Sequence, residues 1–332
     1  MTAFTLLVLV VIVALIFDFV NGFHDTANAI ATVVSTGVLR PRTAVLLAAV
    51  LNVAGAFHGT AVAKTIGTDI LDASVVNQTM VLSALVSAVA WNLITWYFGI
   101  PSSSSHALLG GMLGAGVTVA GMGGIKAAGI EKAVSALLFS PFAGFFASLV
   151  IMVGLTWIVR RAPLPRINKI FRVLQMGSAS LMAYSHGTND AQKTMGIITM
   201  ALVSYSADLA PNKDVPTWVV VSCAVAMGLG TAAGGWRIIH TLGSKIFKLR
   251  PIHGFAAETG AAMVLQVAAA NGLPVSTTHC ITAAIMGAGS TTRLSAVSWG
   301  VTRKILWAWI LTIPVCALLG TLIYRALLAF GW

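Results

Sequence analysis

The chain has 332 residues, 58% of them hydrophobic and only 9% charged, and its mean hydropathy is +0.91. A soluble domain carries about 25% charged residues, so this composition excludes a water-facing globular surface. The net charge of +11 would suit nucleic acid, but the basic residues sit in short connections between apolar stretches, which excludes that partner too.

Taken in chain order, the first apolar stretch, 3–17, lacks the basic leader and small-residue cleavage site of a signal peptide and reads as a membrane helix. It runs straight into Asp18, Asn21, Asp25, Asn28 and Thr32, whose spacings of three and four make one helical stripe. An ionised Asp at the bilayer centre costs about 2.5–3.5 kcal/mol or more, so the stripe must face protein, water or an ion. A basic connection with Arg40 and Arg42 leads to an apolar stretch at 43–63, and an acidic one with Asp69 and Asp72 leads to another at 79–98. At 99–106, "GIPSSSSH" interrupts the apolar run and restarts a helix at Pro101. Stretch 133–159 follows, then the basic linker 161–172, then a second polar cluster, "SHGTNDAQK", at 185–193. Apolar stretches at 217–235 and 305–323 flank a basic connection (Arg237, Lys245, Lys248, Arg250) and a second interruption, "LPVSTTH", at 273–279. Cys223, Cys280 and Cys316 are scattered through apolar segments and indicate neither a disulfide framework nor a metal site.

The chain repeats itself. Residues 99–116 match 272–289 at a constant offset of 173, pairing Pro101 with Pro274 and His106 with His279, and the same offset pairs Pro141 with Pro314. "NGFHD", 21–25, matches "HGTND", 186–190, pairing Gly22 with Gly187 and Asp25 with Asp190. Two halves result, 1–160 and 173–332. The loop after each opening helix is basic in the first half and acidic in the second (Asp208, Asp214), so equivalent loops are expected on opposite sides of the membrane. The expected fold is an all-α polytopic membrane protein of two inverted-topology repeats, with broken helices and about 10–12 membrane helical segments. Both termini are expected outside.

Pro followed by hydroxyl residues marks a helix N-terminus, where free N–H groups and the dipole favour an anion. Ser103, Ser104 and Ser105 in one motif and Ser276, Thr277 and Thr278 in the other add neutral donors. Two such ends meeting near the midplane could hold one multi-oxygen anion; the plain alternative is that the hydroxyls only cap kinked helices. Two carboxylates beside an anion repel it unless each holds a cation or proton. Each ligand then binds well only with the other, the thermodynamic basis of symport. His106 and His279 read equally as structural donors, and Lys193 as a counter-charge to Asp190.

"NGFHDTANAIATVVSTG", "GIPSSSSH", "SHGTNDAQKTMG" and "LPVSTTH" resemble the signatures of the PiT family of inorganic phosphate transporters, over nearly the whole chain. The resemblance implies electrochemically driven phosphate symport, helical hairpins, no cofactor, a multi-pass location in the cell inner (plasma) membrane, and a homodimer. It implies that phosphate is held by Ser103–Ser105, Ser276–Thr278 and Gln192, and the coupling cation by Asp25, Asn28, Asn189 and Asp190, with Asn21 beside them. Sodium-coupled members carry Asn where this chain has His24. The "GFHDTAN" form resembles bacterial proton-coupled members, some of which carry phosphate as a neutral metal complex, so protons are the expected coupling ion and sodium the alternative. Arsenate, with nearly the same shape and charge, is expected to be carried too. A passive anion channel fits the carboxylates poorly. A hydrolase could use a Ser with His106 or His279, but the adjacent Ser105 and His106 project in different directions on a helix and no separate orienting acid is evident.

Overall fold

The structure, a computed structural model, describes residues 2–332. It contains twelve α-helices and, among the described residues, no strand beyond an isolated bridge between Leu71 and Ile125. The first half holds α1 (Ala3–Ser35), α2 (Pro41–Ala56), the short α3 (Ala61–Lys64), α4 (Gln78–Tyr97), α5 (Ser104–Ala120) and α6 (Ala127–Val159). The second half holds α7 (Leu164–Tyr205), α8 (Thr217–Ala233), the short α9 (Trp236–His240), α10 (Pro251–Ala270), α11 (Thr277–Ser290) and α12 (Trp299–Ala329). The order of long, broken and paired helices is therefore the same in both.

The breaks fall where the sequence places Gly and Pro. α2 and α3 meet at a bend of 68°, and α8 and α9 at 61°, each after a small residue or a Gly. α4 and α5 are joined by residues 98–103, and α10 and α11 by residues 271–276. Gly99 and Gly272 adopt φ of +66° and +62°, a left-handed conformation that only Gly takes without strain. Each pair forms a helical hairpin whose tip carries the Pro and hydroxyl motif.

One expectation is refined. The basic stretch 161–172 is not a free connection, because α7 already begins at Leu164 and runs for 42 residues. At 1.5 Å per residue such a helix is about 63 Å long, so its basic first turns extend beyond the roughly 30 Å hydrocarbon layer. The true connection is Arg160–Pro163.

The packing repeats with the halves exchanged. α5 lies against α12 of the other half, as α11 lies against α6; α1 packs on α8, as α2 packs on α7. Glycines permit the close approach. A Cβ on Gly114 would lie 1.9 Å from the Ala317 carbonyl oxygen, and one on its repeat partner Gly287 would lie 2.2 Å from that of Phe145. Exposure is inverted relative to a soluble protein. Phe139, Phe142, Phe146, Trp157, Leu306, Trp307 and Ile310 cover the outside of α6 and α12, while Asp18, Asn21, Asp25, Asn189 and Asp190 are buried. Apolar side chains out and ionisable ones in is what a hydrocarbon solvent selects.

The opposed orientation expected of the halves is testable. Asp72, Arg166, Asp208 and Lys248 are all exposed, and the native cysteines are buried. In a cysteine-free background, Asp72→Cys and Asp208→Cys will react with an impermeant thiol reagent from outside, and Arg166→Cys and Lys248→Cys will not. Reaction of positions 72 and 208 from opposite sides would overturn the inverted arrangement.

Candidate functional site

Near the middle of α1 and α7 the two polar clusters converge on the hairpin tips. The Thr277 hydroxyl lies 3.1 Å from Asp190 Oδ2 and 3.5 Å from Asp25 Oδ2, and the Thr278 hydroxyl lies 3.2 Å from Asp25 Oδ2. Asn28 Nδ2 donates to both threonines, at 3.2 and 2.9 Å. One turn of α11 thus touches a carboxylate from each half. Lys193 Nζ, on α7, reaches both hairpins, donating to Ser105 Oγ and Asp190 Oδ1, both at 2.5 Å, and to the Val275 carbonyl at 2.9 Å. The Ser105 hydroxyl in turn donates to that same Val275 carbonyl, 3.1 Å away.

Each carboxylate also has an imidazole. His24 Nδ1 is 2.6 Å from Asp25 Oδ1, and its Nε2 is 3.1 Å from the Thr95 hydroxyl, which is 2.8 Å from Ser102. Asp25 is thereby linked to both hairpins. His186 Nδ1 is 3.1 Å from Asn52 Oδ1, while Asn52 Nδ2 donates to Thr231. The other ring nitrogen, Nε2, lies 3.4 Å from Asp190 Oδ2. The two groups are close enough to share a proton or cation between them. Asp25, His186 and Asp190 offer one ligand atom each, all within 4.8 Å of one another, a group able to hold such an ion.

Other expected residues fall into two classes. Asn21 and Asn189, Asn28 Oδ1 and the Ser104 hydroxyl are buried without a hydrogen-bond partner. Buried polar atoms are rarely left unpaired, so these point to bound ligands. Ser103 and Ser276 are helix caps, accepting from the amides of His106 and His279 at 3.2 Å each. The first-turn amides at Ser104, Ser105, Thr277 and Thr278 stay outside the helical ladder and free for an anion. Gln192 is not brought to the tips. Its Oε1 accepts from Val62 and Ala63 amides, at 2.8 and 3.4 Å, and its Nε2 donates to His58 and Thr188 carbonyls, so in this conformation it satisfies the break between α2 and α3. It lines a separate cavity of about 220 Å³ with His58, Thr188 and Gln266. His106 pairs with Ser103, Nδ1 to Oγ 2.8 Å, but its other face meets His279 at 4.4 Å, and His279 stacks on Trp309 at 3.8 Å. No carboxylate orients this Ser–His pair, so it is not a nucleophilic dyad.

Residues 21–320, nearly all of this architecture and every residue of the site, match the Phosphate transporter family. The chain belongs to the phosphate transporter family. It is 49% identical over 322 residues to the probable low-affinity inorganic phosphate transporter of Bacillus subtilis (strain 168), covering 96% of each chain. It is 51% identical over 326 residues to that of Rhizobium meliloti (strain 1021), covering 98% of this chain and 97% of the relative. A solved structure described as the sodium-dependent phosphate transporter superposes with a TM-score of 0.87 over 97% of this chain and 99% of its own, at 25% identity. This family member is a multi-pass membrane transporter and not an enzyme.

Three buried polar residues around these clusters were not singled out as site candidates from the sequence. His186 was visible as part of the second cluster, but only folding shows that it faces Asp190. Asn52, which orients His186, carries no signal beyond being polar in an apolar stretch. Glu258 accepts from the Thr32 and Ser178 hydroxyls and, at 3.1 Å, from Gln175 Nε2, tying α10 to α1 and α7 with no basic partner. A lone acid in the apolar segment 251–270 was the available signal.

Proposed function

We propose that this transporter imports inorganic phosphate by symport with a cation, the proton, and that phosphate binds between the two hairpin tips. The observation that carries this reading is the shared use of Thr277 and Thr278: the hydroxyls that would hold the anion are hydrogen-bonded to the two carboxylates. A hydroxyl has one proton to donate. While Asp25 and Asp190 are charged and unloaded, they compete with phosphate for those donors and repel it. A proton on the Asp25–His24 pair, with Asp190 already facing Lys193, removes both obstacles together. Cation and anion then favour each other reciprocally, as coupling requires.

The tips are closed on each other. The cavity at Ser105, Lys193 and Pro274 is about 10 Å³, room for about one water and not for phosphate. Admission therefore needs the hairpins to part, and alternating parting toward one side and then the other gives transport without a continuous channel. Arsenate fits by the same chemistry. Sodium is the second reading for the coupling ion, because Asn21, Asn28 and Asn189 keep unpartnered oxygens beside the carboxylates and the structural relative is described as sodium-dependent. A neutral metal–phosphate complex would find its cation ligands in Asp25, His186 and Asp190.

The anion site is tested at Ser104, whose buried hydroxyl has no other duty. Ser104→Ala will weaken phosphate binding by about 1–2 kcal/mol, one hydrogen bond to a charged group, or roughly 5–30-fold in Kd. Ser135→Ala, on α6 outside the motifs, will leave it within about twofold. Equal losses in labelled-phosphate binding by the two variants would remove phosphate from the tips.

A further inference from the structure

The offset of 165 that places Asp25 on Asp190 also places Asn28 on Lys193. The repeat is therefore broken at the residue one turn beyond each carboxylate, where one half has a neutral amide and the other an ammonium. Both side chains are buried, at 1% exposure each. Their surroundings differ as their chemistry does. Asn28 keeps an oxygen, Oδ1, without a partner, beside the Asp25 carboxylate network. Lys193 instead places Nζ among a carboxylate oxygen, a hydroxyl oxygen and a backbone carbonyl oxygen of the hairpin tip, from Asp190, Ser105 and Val275.

That oxygen set is the shell a monovalent cation takes in a broken-helix transporter: carboxylate, hydroxyl and the carbonyl of an unwound segment. An ammonium has three N–H donors, and all three are used. None is left to bind phosphate in this arrangement, so Lys193 behaves as the bound ion and not as an anion ligand. We propose that Lys193 is a built-in cation that permanently fills the second-repeat coupling site, leaving Asp25 as the site for a mobile cation. With Lys193 in place, one mobile positive charge neutralises the two carboxylates that would otherwise need two. This inference rests on the symport reading and adds to it the number of exchangeable cation sites.

The test uses the purified full-length transporter and labelled-phosphate binding at fixed pH, in choline, sodium or ethylammonium as the sole added cation. Lys193→Ala opens the shell and leaves Asp190 uncompensated. Its phosphate affinity will fall in choline and recover in ethylammonium or sodium, by about 5–150-fold, the usual range of a binding coupling. Lys193→Asn, which copies the first repeat, will acquire a sodium dependence that the wild type lacks at this site, read as a steeper dependence on sodium concentration. A lysine that only braces the fold would give variants whose lower affinity no cation moves, and that result overturns the inference, as does full affinity of either variant in choline. Wild-type protein that fails to bind phosphate would overturn the symport reading itself, and this inference with it, so the two failures are separable.

Discussion

Asp25→Asn and Asp190→Asn will each abolish concentrative phosphate uptake, and they will differ in what they do to the protein. Asn keeps the shape of Asp and can still accept from Thr277 or Thr278, but it cannot supply the negative charge that captures a cation in a low-dielectric site. Asp25 has a neutral-capable imidazole as its neighbour, 2.6 Å away, so losing its charge orphans no fixed cation. Asp190 faces Lys193 at 2.5 Å with both side chains buried. Removing one member of such a pair leaves a buried charge and costs roughly 3–5 kcal/mol. Asp25→Asn will therefore purify with near wild-type thermal stability and no uptake, whereas Asp190→Asn will be inactive and markedly less stable. Near-normal uptake by either variant would remove that carboxylate from the mechanism, and equal stability of the two would contradict the pairing.

Gly187→Leu will prevent the two halves from assembling. A Cβ at Gly187 would stand 2.2 Å from the Asn52 carbonyl oxygen and 2.7 Å from its Cα, and one at the repeat-related Gly22 would stand 2.3 Å from the Met227 carbonyl oxygen. These are backbone atoms of packed helices, so the neighbour cannot turn aside. Overpacking of this kind costs about 1–3 kcal/mol for an extra methylene or two, and a whole Leu against a facing helix more. The shift would also carry away Asn52, which orients His186 against Asp190. Loss of the monodisperse peak in detergent size-exclusion chromatography is the expected result. A stable, active Gly187→Leu protein would show that α2 and α7 do not pack as described.

Much of this arrangement was legible because the chain states it twice. One Pro–hydroxyl interruption is ambiguous, but two at a fixed offset of 173 with matching flanks made the paired tips readable before any coordinates. The stripe of Asp18, Asn21, Asp25, Asn28 and Thr32 was equally plain, since helical periodicity alone puts those residues on one face. The partners of that face could not be read from spacing. Thr277 and Asp25 lie 252 residues apart, and only the folded contact shows one hydroxyl serving both carboxylates. Gln192 is placed differently from its motif neighbours. It sits in the second motif, yet the break between α2 and α3 exposes amides that need an acceptor, and Gln192 supplies it. The basic stretch 161–172 misled in a simpler way: charge density marks where a helix leaves the membrane, not where it ends.

The central claim is that cation binding and phosphate binding drive each other across the membrane. It is tested most directly with purified protein in sodium-free proteoliposomes free of internal phosphate, to which labelled phosphate and an inward proton gradient are applied together. The account predicts accumulation of phosphate above its outside concentration, abolished by a protonophore. Phosphate that merely equilibrates under either a proton or a sodium gradient would contradict symport, and accumulation that requires sodium and survives the protonophore would overturn the assignment of the proton.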